Sequence, residues 1–187
     1  MDPSFSAPLL TLLSATVAFN LLLSLRLATI VGLREKERLP TVLPPGSTFP
    51  RFKAKTLAGQ RVDNTSIDSR PAVFVYLSPS CKDCASKLPI VEALFPAAER
   101  LGVELWVIGV GSRTRLELFF ADSSIWSRVL VLRGGTRRRV CPRNAAPAYA
   151  FVNQDGRVEA ANFIGDARWR AFLDQLGHVD GVVEAAE

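Results

Sequence analysis

The sequence predicts an α/β domain with a mixed central sheet flanked by helices, preceded by one N-terminal transmembrane helix. The prediction follows from a charge-free apolar run at Pro3–Leu25, a continuous apolar run of strand length at Ala72–Leu77, a second buried strand at Val103–Val110, and a helical stretch between those two strands. The 187 residues suffice for one ordinary domain. A hydrophobic fraction of 48% with 22% charged residues excludes a disordered chain.

The N-terminal apolar run covers 23 residues from Pro3 to Leu25, and as a helix it would extend about 34 Å against roughly 30 Å of bilayer hydrocarbon. The chain begins Met1-Asp2-Pro3, without the basic start of a secretory signal peptide. We therefore expect an uncleaved single-pass anchor over residues 1–33, in contact with the lipid bilayer. A buried core helix or a cleaved signal peptide is the alternative.

The charges beside this anchor indicate how it would be oriented in the membrane. Arg26, Arg34, Lys36 and Arg38 follow the apolar run, and no Lys or Arg precedes it. The positive-inside rule, taken literally, places the main domain in the cytoplasm.

The soluble part divides into a spacer over residues 34–48, a domain over residues 49–177 and a C-terminal tail over residues 178–187. The spacer is charged and then proline-rich, which predicts a semi-rigid connection. Continuous apolar runs predict strands buried on both faces, and alternating segments around Gly predict hairpins. The predicted elements are a hairpin of Phe52–Leu57 and Gln60–Asn64, a strand at Ala72–Leu77, a helix from Cys81 to about Arg100, a strand at Val103–Val110, a helix at Thr114–Ala121, a strand at Val129–Leu132, a hairpin of Ala148–Asn153 and Arg157–Ala161, and a helix capped by Asp166 that ends near Leu176.

Charge and histidine content narrow the chemistry. The net charge is +5, but no Lys/Arg stripe interleaved with aromatic residues is present, so nucleic acid is not an expected partner. His178 is the single histidine and is expected at the surface, which argues against His-based acid/base catalysis and a multi-histidine metal site. No metal and no cofactor is expected, and the cysteine thiols are the expected reactive groups. Trp106, Trp126 and Trp169 are expected to pack in or against the core.

Two cysteines, Cys81 and Cys84, stand where the strand Ala72–Leu77 feeds a helix. Cysteines at this spacing can close a small disulfide, and the dipole at the front of a helix stabilises the thiolate of the first. We expect Cys81 to be the exposed attacking sulfur and Cys84, a turn further into the helix, to resolve the mixed disulfide. Half of a zinc site is the alternative.

The third cysteine, Cys141, follows Arg137-Arg138-Arg139 in a segment expected to be a loop near the disulfide. An idle thiol is the expectation, with a third redox sulfur as the alternative. The three arginines are expected to form a solvated basic loop; they could instead lower the pKa of Cys141 or meet an acidic partner.

Three features together resemble the thioredoxin superfamily over Phe49–Leu176: the Cys-x-x-Cys after a buried strand, Pro89 five positions after Cys84, and the pair Ala146-Pro147 before the late hairpin. The resemblance implies a thioredoxin-like fold. It also implies that Pro147 is a cis-proline facing the disulfide and that Ala146 offers backbone hydrogen bonds to an extended substrate.

The segment Leu77-Ser78-Pro79-Ser80-Cys81 and the pair Leu88-Pro89 are similar to the membrane-tethered MauD-type methylamine-utilisation proteins, in the broader TlpA and ResA group. That resemblance implies a role in maturing a disulfide-rich extracytoplasmic dehydrogenase subunit. Departures concern Lys82-Asp83, where a proline is usual, and Ser80, where a tryptophan is common. Val75 replaces a buried Asp, and Ala148 replaces an acidic residue of haem-maturation relatives.

The resulting hypothesis is a membrane-anchored thiol-disulfide oxidoreductase or isomerase acting on a protein client that contains cysteines. It also requires a membrane-bound or soluble thiol partner for electron transfer. Because disulfide exchange suits an oxidising compartment, the expected location of the domain is extracytoplasmic, against the flanking charges. The alternative is a non-catalytic assembly chaperone that retains the fold. A peroxiredoxin-like activity is disfavoured because Phe74 and Leu77 occupy the positions where its motif needs proline.

Overall fold

A computed structural model describes residues 13–26, 41–66 and 70–177. The chain divides into two units, Met1–Leu39 and Pro40–Glu187. In the first unit residues 13–26 are helical, with exposed leucines, and the rest of the predicted anchor lies outside the described residues. Within the described ranges, no helix combines the length and the apolar character needed to cross a bilayer. His178 and the predicted tail also lie outside these ranges.

The second unit is built on one mixed sheet of seven strands: β1 Lys53–Thr56, β2 Arg61–Asp63, β3 Ala72–Leu77, β4 Glu104–Gly109, β5 Val129–Val131, β6 Ala148–Val152 and β7 Val158–Phe163. Their order in the sheet is β2-β1-β5-β4-β3-β6-β7. The central strands β3, β4 and β5 are parallel, and the two outer hairpins β1-β2 and β6-β7 add antiparallel strands. The mixed α/β architecture predicted from the sequence is confirmed.

Every side chain of β3 is buried, as expected for a largely apolar strand that pairs with a neighbour on each side. Alternate residues point to opposite faces, so Phe74 and Tyr76 join one hydrophobic cluster while Val73, Val75 and Leu77 join the other. The two clusters form the two sides of the core, and the thiols of the chain are divided between them.

Four α-helices accompany the sheet in the described part of this unit: α1 Cys84–Arg100, α2 Arg113–Phe119, α3 Gly134–Val140 and α4 Ala167–Gln175. Helix α4 begins as predicted, because the carboxylate of Asp166 accepts a hydrogen bond from the backbone N–H of Trp169 at 2.8 Å. Its end is also as predicted, since Gly177 follows with a φ of 76° that favours glycine.

The segment before β1 packs onto the sheet rather than standing clear of it. Leu43, within the predicted spacer, is buried in the hydrophobic cluster of Phe74. The backbone N–H of Gly46 donates to the carbonyl of Val158 at 2.7 Å. The burial of Leu43 and the backbone hydrogen bond of Gly46 show that the domain extends to residues before Phe49.

Candidate active site

The candidate site lies at the carboxyl end of β3, where the chain makes a tight turn before α1. The hydroxyl of Ser78 accepts from the backbone N–H of Ser80 at 3.2 Å, and the carbonyl of Ser78 accepts from the N–H of Cys81 at 3.1 Å. These two hydrogen bonds hold the chain in a turn at the carboxyl ends of the parallel strands, where ligand sites of α/β proteins commonly form.

This turn corrects the expected start of the helix. Helix α1 begins at Cys84, after Asp83, whereas the sequence predicted a start at Cys81 with Cys84 a turn further in. The reason is that the backbone N–H groups of Ser80 and Cys81 donate to Ser78, which holds residues 78–81 in a turn instead of a helix. Cys81 therefore stands just before the helix amino terminus, and Cys84 is its first residue.

The two thiols differ sharply in their surroundings. Cys81 is half-buried, while Cys84 is fully buried, and both are free. Burial, followed by a hydrogen bond with Cys81, raises the pKa of Cys84 from 9.0 to about 12, although the Ser78 N–H donates to its sulfur at 3.4 Å and acts in the opposite direction. At neutral pH Cys84 is thus a protonated thiol next to an accessible sulfur.

The side chains that surround Cys84 in the core are apolar. Val75 is fully buried in the same hydrophobic cluster as Cys84, together with Leu77. Thioredoxins carry a buried Asp at the position of Val75; the valine side chain cannot exchange a proton.

Cys81 opens onto a cleft of about 440 Å³ that Ala146 also lines. The peptide bond between Ala146 and Pro147 is cis, as the resemblance implied. Among the described residues, the backbone N–H and carbonyl of Ala146 make no hydrogen bond, whereas the Pro147 carbonyl accepts from the Ile164 N–H at 3.1 Å. The structure therefore brings Cys81 and Ala146 together and leaves the Ala146 backbone open to a partner.

Cys141 lies on the other face of the sheet, in the hydrophobic cluster of Tyr76, and not beside the dithiol as expected. Its thiol is 2% exposed and donates to the Ala145 carbonyl at 3.5 Å. Burial raises its pKa from 9.0 to about 12. The Tyr76 hydroxyl is also buried, without a hydrogen-bond partner among the described residues. Cys141 is a core residue beneath the segment that leads to Ala146.

The arginines before Cys141 form the last turns of α3 rather than the solvated loop that was expected. Helical folding separates their roles. Arg138 and Arg139 are exposed, while Arg137 is half-buried and lines the cleft of Cys81. Neither Arg137 by itself nor Asn144, which also lines the cleft, was predicted as a site residue. Which arginine of a short helix faces the cleft depends on how the helix packs, and no local sequence signal indicates it.

Metal binding has no support in the residues that the structure describes: no three His, Cys, Asp or Glu side chains form a cluster able to hold an ion. The predicted packing of Trp106, Trp126 and Trp169 is confirmed, since Trp106 and Trp169 are buried and Trp126 is half-buried.

Comparisons with known proteins were made by sequence and by fold. No protein-family profile matches the chain. By sequence, the chain is similar to the thiol-disulfide oxidoreductase ResA of Geobacillus thermodenitrificans, with 22% identity over 120 residues that cover 64% of this chain and 69% of ResA.

Two solved structures illustrate the similarity of fold. The thioredoxin domain of a thiol-disulfide oxidoreductase from Bacteroides vulgatus matches with a TM-score of 0.60 at 14% identity, covering 72% of this chain and 99% of that one. A secreted Mycobacterium tuberculosis disulfide oxidoreductase homologous to E. coli DsbE matches with a TM-score of 0.51 at 21% identity, covering 67% and 93%.

The fold is therefore thioredoxin-like. In this fold, and in the pair Cys81 and Cys84 placed after β3, the chain is similar to thioredoxin-like thiol-disulfide oxidoreductases.

Proposed function

We propose that the chain exchanges disulfides with cysteine-containing protein clients through Cys81 and Cys84. The observation that carries the proposal is the asymmetry of the pair. Cys81 is half-buried in an open cleft, and the fully buried Cys84 makes a hydrogen bond with it. Such a pair separates the sulfur that meets a client from the sulfur that releases it.

In the reducing direction, the Cys81 thiolate attacks one sulfur of a client disulfide, and the other client sulfur leaves as a thiolate. Cys84, after losing its proton, then attacks the Cys81 sulfur, which forms the Cys81–Cys84 disulfide and releases the second client thiol. The client gains two electrons and two protons, and the chain loses them. The reverse sequence oxidises a client dithiol.

The client segment is proposed to bind in extended form against Ala146 and Pro147. The support is that Ala146 lines the same cleft as Cys81 and that its backbone N–H and carbonyl have no hydrogen bond among the described residues. An extended client strand can supply both partners, as in other forms of strand addition.

The proposed place of action is outside the cytoplasm, with a domain of residues 49–177 held by the anchor of residues 1–33 through residues 34–48. Disulfide exchange suits an oxidising compartment, and the similar M. tuberculosis protein is a secreted one. A membrane-bound or soluble thiol protein would restore the dithiol. Labelling of Cys81 in intact cells by a membrane-impermeant maleimide tests this topology, and labelling only after lysis contradicts it.

A narrower proposal concerns the client. The similarity of Leu77-Ser78-Pro79-Ser80-Cys81 to MauD-type proteins supports a disulfide-rich dehydrogenase subunit as the client. A cysteine-to-serine variant of Cys84, which would retain the mixed disulfide, can capture that client for identification.

The test of the main proposal is equilibration of the purified full chain in graded thiol-disulfide buffers, with a Cys141→Ser variant as control. We expect one reversible two-electron transition that both proteins share. A midpoint near about −270 mV would indicate a reductase and one near about −120 mV an oxidant. A chain whose Cys81 and Cys84 never join would contradict exchange and leave the chaperone hypothesis, which predicts that a double Cys→Ser variant still supports client maturation.

A further inference from the structure

The cleft of Cys81 contains a single charged group among the described residues that line it, the guanidinium of Arg137. The other lining residues are small, polar or apolar: Ser78, Ser80, Val110, Gly111, Asn144 and Ala146. No carboxylate lies among them. A client segment placed between Cys81 and Ala146 would therefore meet one positive charge and no negative charge inside the cleft.

Arg137 is held in this position from two sides. Helix α3 supplies its backbone, whose N–H donates to the Arg133 carbonyl at 2.8 Å. The side chain crosses to the end of β4, where one terminal nitrogen donates to the Gly111 carbonyl at 3.3 Å. This hydrogen bond holds the guanidinium at the carboxyl ends of the parallel strands, where Cys81 also lies.

No acidic side chain among the described residues neutralises the charge of Arg137. It takes part in none of the ion pairs among the described residues, and its enclosed Nε has no hydrogen-bond acceptor there. A half-buried cation without an anion is costly, because water no longer fully solvates it and no counter-charge replaces the water. An anionic group brought by a client would supply the missing partner.

The exposed charges beside the cleft have both signs. Lys82 and Asp83 follow Cys81, and Arg143 precedes Asn144; all three are exposed. Exposed charges affect the approach of a partner more than its affinity, so a preference for one sign depends on Arg137 inside the cleft.

We propose that Arg137 binds an acidic side chain next to the client cysteine, so that the site prefers Glu or Asp at that position. The inference rests on the proposed exchange function and specifies its substrate. An extended peptide advances about 3.3 Å per residue, which limits the contact to residues close to the cysteine. Arg137 then acts as a specificity residue and takes no part in the sulfur chemistry.

The test uses the reduced full chain and two fluorescence-quenched peptides, each closed by one disulfide. They differ only in Glu or Gln beside the attacked cysteine. In each reaction the chain's dithiol is oxidised and the peptide disulfide is reduced to two thiols. We expect the rate constant for the Glu peptide to exceed that for the Gln peptide by about fivefold at low salt, and the ratio to fall as salt screens the charges.

Two variants separate Arg137 from general charge effects. Arg137→Gln should bring the rate ratio close to one, whereas Arg138→Gln removes the same charge from an exposed neighbour outside the cleft and should keep the ratio. Arg137→Lys should keep part of it, because a charge remains while the bond geometry changes. Each ratio is internal to one protein, so a partly unfolded variant lowers both rates and leaves the comparison valid.

Equal rates of the unmodified chain on both peptides, or a preference that survives Arg137→Gln, would overturn the acidic specificity while leaving the exchange function intact. Absence of reaction with either peptide would overturn the exchange function and the specificity with it.

Discussion

Two regions of the sheet each bury a thiol, and they lead to different chemistry. On one face Cys84 is fully buried, and on the other Cys141 is 2% exposed; burial raises the pKa of each from 9.0 to about 12. Cys84 has the accessible sulfur of Cys81 beside it, whereas Cys141 donates to the Ala145 carbonyl and has no thiol partner among the described residues. Burial alone therefore does not define a redox site. A neighbouring sulfur that reaches solvent is what distinguishes the two regions.

The largest effect should come from removing that accessible sulfur. Cys81→Ser should reduce the rate of peptide disulfide reduction at least ~10³-fold, because no other thiol faces the cleft. The rate is measured with the quenched peptide disulfide and the reduced full chain. Cys141→Ser is the matched control and should retain activity within about twofold, since thiol exchange requires access. A Cys81→Ser variant with normal activity would remove the distinction between the two faces.

Cys84→Ser should leave the first attack and block the second. Because the buried sulfur is the one positioned to attack Cys81, the mixed disulfide between Cys81 and the client should accumulate. Intact-protein mass spectrometry before and after reduction measures the adduct. Turnover without an accumulating adduct in this variant would indicate that another thiol, such as Cys141, resolves the intermediate.

Accessibility gives a second contrast without substitution. Iodoacetamide should modify Cys81 in the native chain, whereas Cys141 should react at least about a hundredfold more slowly, through transient opening. Peptide mapping by mass spectrometry over a time course measures both rates. Full denaturation should bring the two rates together, and rapid native labelling of Cys141 would contradict its burial.

Cys141 should matter more for stability than for exchange. Cys141→Ala removes a buried side chain and its bond to the Ala145 carbonyl, and should lower the free energy of unfolding by about 1–2 kcal/mol. Urea denaturation under reducing conditions measures the loss. A stability equal to that of the unmodified chain would indicate that the thiol contributes no packing.

The smallest expected effect is in the pH dependence of that stability. The pKa of Cys141 is higher in the folded chain, at about 12, than its ordinary value of 9.0, so the unfolded chain releases the proton first as pH rises. This contribution is complete below about pH 9 and is lost between about pH 9 and 12; the loss amounts to about 1 kcal/mol at about pH 10. Urea denaturation at both pH 8 and pH 10 should show a smaller decline for Cys141→Ala than for the unmodified chain by about this amount.

The elements differed in how far the sequence predicted them. The buried strand Ala72–Leu77 was predicted with both ends correct, because an unbroken apolar run of that length has few other uses. The helix after it was expected three residues early, since the serine hydrogen bonds that delay its start depend on the local turn. The arginine segment was assigned to a loop because short helices depend more on packing than on propensity.

The sequence by itself determined the spacing of Cys81 and Cys84 and the buried strand before them, because local pattern and residue chemistry are enough to predict both. The tertiary structure decided which thiol reaches solvent, which face of the sheet holds Cys141, and that Arg137 alone of the three arginines enters the cleft. These outcomes depend on contacts between segments distant in sequence, and no local pattern encodes the burial that those contacts create.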